Sequence, residues 1–175
     1  MEAAYLTLVT QEGHEVSVDS RLQSLSSLLQ HLIADSSPQS TIHLPSLSSA
    51  VLYKIVEYYE HHHYTTPPPI KKPLPSDRIE EAVRDPWDAE FINALSEDCL
   101  VSVTLACYEM ELFGLFDLCS GKIASMFKGK TIDELRQKYG ITEEFTAEEE
   151  ERLKKEYPWA LEGNEDRLLQ TRHTR

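Results

Sequence analysis

The sequence predicts an α/β protein of the α+β kind: a short β-rich start, a proline-rich insert, and a helical second half. Three observations carry this. Residues 5–18 alternate apolar and polar side chains with a period of two. Five prolines fall between His61 and Asp77, together with three consecutive histidines. After residue 86, apolar residues recur at three- and four-residue spacing between good capping residues.

In the first region, Leu6 and Leu8 share one face of a strand over Tyr5–Thr10. Gly13 and His14 make a turn, and Val16 and Val18 resume the alternation, which is the pattern of a β-hairpin. Asp19 or Ser20 can cap a helix carrying Leu22, Leu25, Leu28, Leu29 and Leu32. A polar loop, 35–40, leads to a short strand at Thr41–Leu44. After Pro45 a second helix sets Val51, Ile55, Val56 and Tyr59 in a stripe. The insert, about 61–85, reads as a linker or extended loop, because proline lacks an amide donor and disfavours helix in its predecessor.

Order returns near Pro86 and Trp87. Ser96 can cap a helix whose core stripe is Leu100, Val103, Cys107 and Met110. The apolar run Leu112–Leu118 follows after a break near Gly114, and Ile123, Met126 and Phe127 belong to a further helix. Thr131 with Glu134 and Thr146 with Glu149 are two capping boxes. Gly140 closes the first of these helices, and Tyr157-Pro158-Trp159 ends the second.

Composition narrows the function classes. The 175 residues are 41% hydrophobic, so the chain can build a core. The net charge is −13, with ten acids against six bases through residue 84 and twenty against eleven after it. An acidic second half repels phosphate backbones and argues against nucleic acid as a partner. No positive segment with a following apolar run opens the sequence, and no apolar stretch reaches the ~18–20 residues that cross a bilayer. Cys99, Cys107 and Cys119 all sit in apolar helical patterns and read as reduced, buried thiols, consistent with a cytoplasmic or nuclear setting.

No catalytic constellation emerges, and neither a metal nor a cofactor is expected. Lys128-Gly129-Lys130-Thr131 ends like a phosphate-binding loop, but Ala124 stands where that loop needs glycine. His61, His62 and His63 lack an acid or cysteine at ligand spacing, so a solvated helix end accounts for them. Cys107 lacks a local base, and the acid run from Glu143 to Glu151 lacks calcium-loop spacing and suits a helical first turn. What stands out is an apolar surplus: Leu115, Phe116, Ile123, Phe127, Ile132, Leu135, Ile141, Phe145 and Trp159. They either pack on one another or form a helix-on-helix partner site.

Longer motifs decide between these. Lys128-Gly129-Lys130-Thr131-Ile132-Asp133-Glu134-Leu135-Arg136, then the stretch 141–150, then Tyr157-Pro158-Trp159, closely resemble the tail of the S-phase-kinase-associated adaptor family. Trp87-Asp88-Ala89-Glu90-Phe91 resembles that family's W-D-x-E-F signature. Leu44-Pro45, Pro67-Pro68-Pro69 and Gly114-Leu115-Phe116-Asp117 follow in matching order, so the likeness runs from about Tyr5 to Trp159.

The resemblance implies a BTB/POZ-type domain over 1–127 and a helical F-box-binding extension over 128–163; residues 164–175 have no counterpart in the family and are expected to form a disordered tail. It implies a non-enzymatic adaptor that joins an F-box protein to a cullin–RING ubiquitin ligase of the SCF type. A cullin-free scaffold holding an F-box-like protein is the alternative. By position, the F-box surface is Leu100, Leu115, Phe116, Ile123, Phe127 and Trp159, extended by Ile132, Leu135, Ile141 and Phe145 from the apolar surplus. Weak self-association of the free chain would follow from such a surface.

The sequence also departs from the family. Tyr108 and Glu109 occupy cullin-facing places where asparagine and tyrosine are usual. Glu109 lies opposite the core stripe of its helix and is expected to be exposed. An acid in that place implies either that cullin binding is lost or that the cullin has changed to match. Ala147 stands where some members carry a modifiable proline, and Lys71 and Lys72 lie in what is often an acidic loop.

Overall fold

The computed structural model describes residues 4–34, 41–142 and 145–158. Within it the chain forms two compact units that divide after Lys130. The amide of Lys130 donates to the carbonyl of Phe127 and closes the last turn of the first unit. The expected loop at 35–40 lies outside the described residues.

The first unit opens with the hairpin that the alternation predicts. Strand β1 (Tyr5–Val9) pairs antiparallel with β2 (Glu15–Asp19), Leu8 opposite Val16, around Gly13 at φ +77°. The third strand, β3 (Ile42–His43), pairs parallel with β1, and the sheet order is β2-β1-β3. Leu8, Val16, Val18 and Ile42 are buried on the face toward the helices.

The single helix expected after Asp19 is instead two pieces. Asp19 caps a 3-10 turn over Ser20–Leu25, and α1 (Ser27–Ala34) starts afresh after Ser26. Ser26 is extended at φ −122° and ψ 111°. Its hydroxyl donates to the Met110 carbonyl at 2.6 Å and accepts from the Leu29 amide. A buried side chain bonded 84 residues away overrides the helical period.

Helix α2 (Ser49–His61) buries Val51, Leu52, Ile55, Tyr58 and Tyr59, with Val56 half-buried, and is capped by Ser48. The Glu12 carboxylate in the hairpin turn accepts from both the amide and the hydroxyl of Ser49, tying hairpin to helix. Hydrogen bonds from Thr10 first, and then from Ser49, pull the Glu12 carboxyl down from 4.5 to about 2. A depressed carboxyl stabilises the fold above its unfolded value and loses that contribution as pH falls through the folded value. Glu12→Gln is therefore expected to lower Tm at neutral pH, with the difference from wild type shrinking between about pH 4.5 and 2. A Tm series against pH checks this.

Helices α3 (Pro86–Ala94), α4 (Glu97–Glu109) and α5 (Phe113–Phe127) complete the unit. The α4 stripe Leu100, Val103, Cys107 and Met110 is buried as the spacing predicts. The break after α4 falls at Glu111, in the left-handed region at φ +55°, where the Leu112 amide reaches the Cys107 carbonyl. Gly114, expected at the break, instead lies in the first turn of α5, and Ile123, Met126 and Phe127 belong to that same helix.

Gly114 is there because the insert packs on α5. A Cβ at Gly114 would stand 2.6 Å from the ring of Pro67, and one at Gly121 would meet the end of the Ile70 side chain. The insert is not a free linker: Tyr64, Pro67, Ile79, Ala82 and Val83 are buried. The proline ring cannot swing aside, whereas Ile70 is half-buried and flexible. Gly114→Ala should therefore cost about 1–2 kcal/mol after the helix-propensity gain is offset, and Gly121→Ala should be close to neutral. Chemical denaturation of the two variants distinguishes the positions.

The second unit contains α6 (Ile132–Lys138) and α7 (Ala147–Glu156). Both predicted capping boxes are present in full, Thr131 with Glu134 and Thr146 with Glu149. Gly140, at φ +63°, follows the C-cap of α6.

Candidate functional site

The residues assigned to a partner surface separate into two environments. Leu100 and Leu115 are 2% and 0% exposed and belong to the core of the first unit, which corrects their placement on the surface. Both satisfy the helical core period of α4 and α5, and four packed helices leave no solvent at those positions. Phe116, Ile123 and Phe127 lie at seven- and four-residue spacing on one side of α5. The first two are half-buried against the core and Phe127 is exposed at the helix end.

In the second unit, Ile132, Ile141 and Phe145 are 70%, 53% and 68% exposed, and Leu135 is half-buried. None of the described residues of α6 or α7 is buried. Two capped helices of seven and ten residues have too little surface to enclose these side chains. Trp159 lies outside the described residues.

A second apolar face lies on α4. Val101, Leu105 and Tyr108, at i, i+4 and i+7, are all exposed, as is Phe113 at the start of α5. Sequence reasoning found only Tyr108 of this stripe, although the same spacing rule that located the core stripe identifies Val101 and Leu105. Tyr108 stands 5.9 Å from the Phe116 ring. Glu109 is exposed as expected, and it accepts a 2.7 Å hydrogen bond from the Ser46 hydroxyl.

His61 and His62 are not a solvated helix end, whereas His63 is exposed. His61 Nε2 lies 2.9 Å from Asp85 Oδ2, and His62 Nε2 lies 2.7 Å from Asp88 Oδ1. His61 stacks on Trp87 at 3.8 Å, and the Tyr58 ring meets His62 at 4.6 Å. The acids come from 24 and 26 residues away, a distance local spacing rules do not cover. Asp85 also caps α3 through the Trp87 amide, and its hydrogen bond with His61 chiefly holds its carboxyl below the usual range. Burial pushes Asp88 the other way.

Cys107 and Cys119 are packed away as expected, whereas Cys99 is only half-buried. Burial raises Cys107 well above the ordinary thiol range and pushes Cys119 up to about 12, so neither forms a thiolate near neutrality. Thr131, in the sequence resembling a phosphate loop, spends its hydroxyl on the cap of α6.

Comparisons with known proteins agree with this architecture. Residues 4–64 match the Skp1 family tetramerisation domain, and residues 114–160 match the Skp1 family dimerisation domain. The S-phase kinase-associated protein 1 homolog of Tetrahymena thermophila is 36% identical over 156 residues, covering 89% of this chain and 93% of that protein. SKP1-like protein 12 of Arabidopsis thaliana is 30% identical over 162 residues, covering 93% of this chain and all of the relative. SKP1-like protein 1 of Oryza sativa subsp. japonica is 31% identical over 170 residues, with 92% and 97% covered. A POZ-type α/β domain followed by helices, matched along nearly its whole length at these identities, places the chain in the Skp1 family.

Proposed function

We propose that this chain is a non-catalytic F-box adaptor of a cullin–RING ubiquitin ligase, acting in the cytoplasm or nucleus. The observation that carries the reading is the exposed aliphatic and aromatic set Ile132, Ile141 and Phe145 on the short C-terminal helices. These residues lie within the segment most like the family's F-box-binding tail. An F-box is itself helical, and apolar side chains on short helices suit helix-on-helix recognition. Residues 128–163 would grip the F-box, aided by Phe116, Ile123, Phe127, Leu135 and Trp159, and the α/β domain, 1–127, would face the cullin.

The exposed α4 stripe Val101, Leu105 and Tyr108 supplies a second apolar face for that partner. The test is a purified pairing with an F-box segment and, separately, with a cullin N-terminal region. Binding of both supports the ligase adaptor, and failure to bind any F-box helix sinks it.

One observation favours a second reading, a scaffold that holds an F-box-like protein without a cullin. Glu109 places a charge, already bonded to Ser46, beside the α4 stripe where the family carries tyrosine. Burying that acid without a basic partner is unfavourable. In this reading Tyr108→Asn combined with Glu109→Tyr creates cullin affinity that the natural chain lacks. Cullin binding by the unaltered chain removes the reading.

A further inference from the structure

The His–Asp cluster between α2 and α3 is used by neither partner surface. We propose that His62, Asp85 and Asp88 form a binding site for one first-row divalent cation of the Zn2+ type. One ligand atom from each of the three lies within 4.8 Å of the others, the group among the described residues in which such donors converge.

The arrangement has the parts of a metal site. Asp85 and Asp88 are three residues apart at the start of α3, so their carboxylates share one face. His62 comes from the end of α2 and brings a nitrogen donor to them. At Zn–N and Zn–O distances of about 2.0–2.2 Å, tetrahedral donors stand roughly 3.4 Å apart. His62 and Asp88, now 2.7 Å apart, need to separate by less than about 1 Å, and Asp85 to draw in by up to about 1.4 Å.

An outer shell is also built. His61 Nε2 and the Trp87 amide both hold the Asp85 carboxylate, and metal-ligating carboxylates are held in this way. Trp87 stacks between His61 and Phe91, and the Tyr58 ring covers His62, giving the cluster an aromatic wall. His62 and Asp88 side chains are 9% and 5% exposed, whereas Asp85 is 36% exposed and marks the side from which an ion and its water enter.

The donor set selects the cation class. Calcium and magnesium favour cages or partial shells of oxygen, whereas one imidazole with two carboxylates suits Zn2+, Co2+ and their neighbours. Three protein ligands leave a position for water. The consequence lies in the fold. His62 and Asp85 stand at the two ends of the proline-rich insert, so a bound ion would staple its ends together and stabilise the first unit. This adds to the adaptor reading and does not depend on it.

The test uses the full chain, untagged and freed of metal by chelation. Titration with Zn2+ by calorimetry should give one saturable site and a raised Tm, and Co2+ should give a visible d–d spectrum of nitrogen and oxygen ligation. Asp85→Asn and His62→Asn should abolish the saturable event with folding checked by circular dichroism. His61→Gln, which loosens the outer shell, should weaken it about ten- to hundredfold.

A wild-type readout covers the case in which a variant does not fold. In an NMR spectrum of the histidine ring nitrogens, Zn2+ should shift His62 Nε2. No saturable site, an unmoved His62 ring, a sulfur-to-cobalt charge-transfer band, or binding unchanged in the folded variants would each overturn the proposal. The cluster would then be a structural pair of histidine–carboxylate bonds.

Discussion

Leu115→Ala is expected to destabilise the first unit by about 2–5 kcal/mol, lowering Tm by roughly 10 °C or more. Leu115 is fully buried among α5's neighbours, so truncation removes its transfer free energy and leaves a cavity. Binding of an F-box segment, measured on the fraction that stays folded at low temperature, should be unchanged. This outcome separates Leu115 from the surface that family position suggests. An unaltered Tm with lost F-box affinity would return it to the interface, and the packing of α5 described above would be wrong.

Phe145→Ala should behave in the opposite way. Phe145 is 68% exposed, so its truncation is expected to leave stability within about 0.5 kcal/mol. As an aromatic anchor it should cost the F-box complex about 2 kcal/mol or more, near thirtyfold in affinity. Ile141→Ala should act in the same direction. The double variant is expected to lose more affinity than either single change. Calorimetry against an F-box segment gives both affinities, and full affinity in the double variant would remove these residues from the proposed surface.

Much of the fold was legible because its signals are local. The hairpin followed from alternation at Leu6, Leu8, Val16 and Val18. The α4 core followed from four residues at helical spacing. Both C-terminal helices were located by capping boxes, in which side chain and backbone lie three residues apart. The site was legible in part. Ile132, Ile141 and Phe145 are exposed apolar residues, while Leu100 and Leu115 carry the same apolar character and are core. Apolar identity does not say which side of a helix meets the rest of the fold, and periodicity does so only when all neighbouring helices are known.

By itself, then, the sequence determined the order of elements, their caps, the buried stripes of α2 and α4, and the family signature. Each is written within a few turns of chain, where propensity and spacing act directly. Only the tertiary structure decided the rest. Ser26 breaks a helix to bond Met110, Pro67 requires glycine at 114, and Asp85 and Asp88 meet His61 and His62. Those pairings join residues 24 to 84 positions apart. Their partners are set by how the helices pack, because a buried polar group or a rigid ring is satisfied by whatever the fold brings beside it.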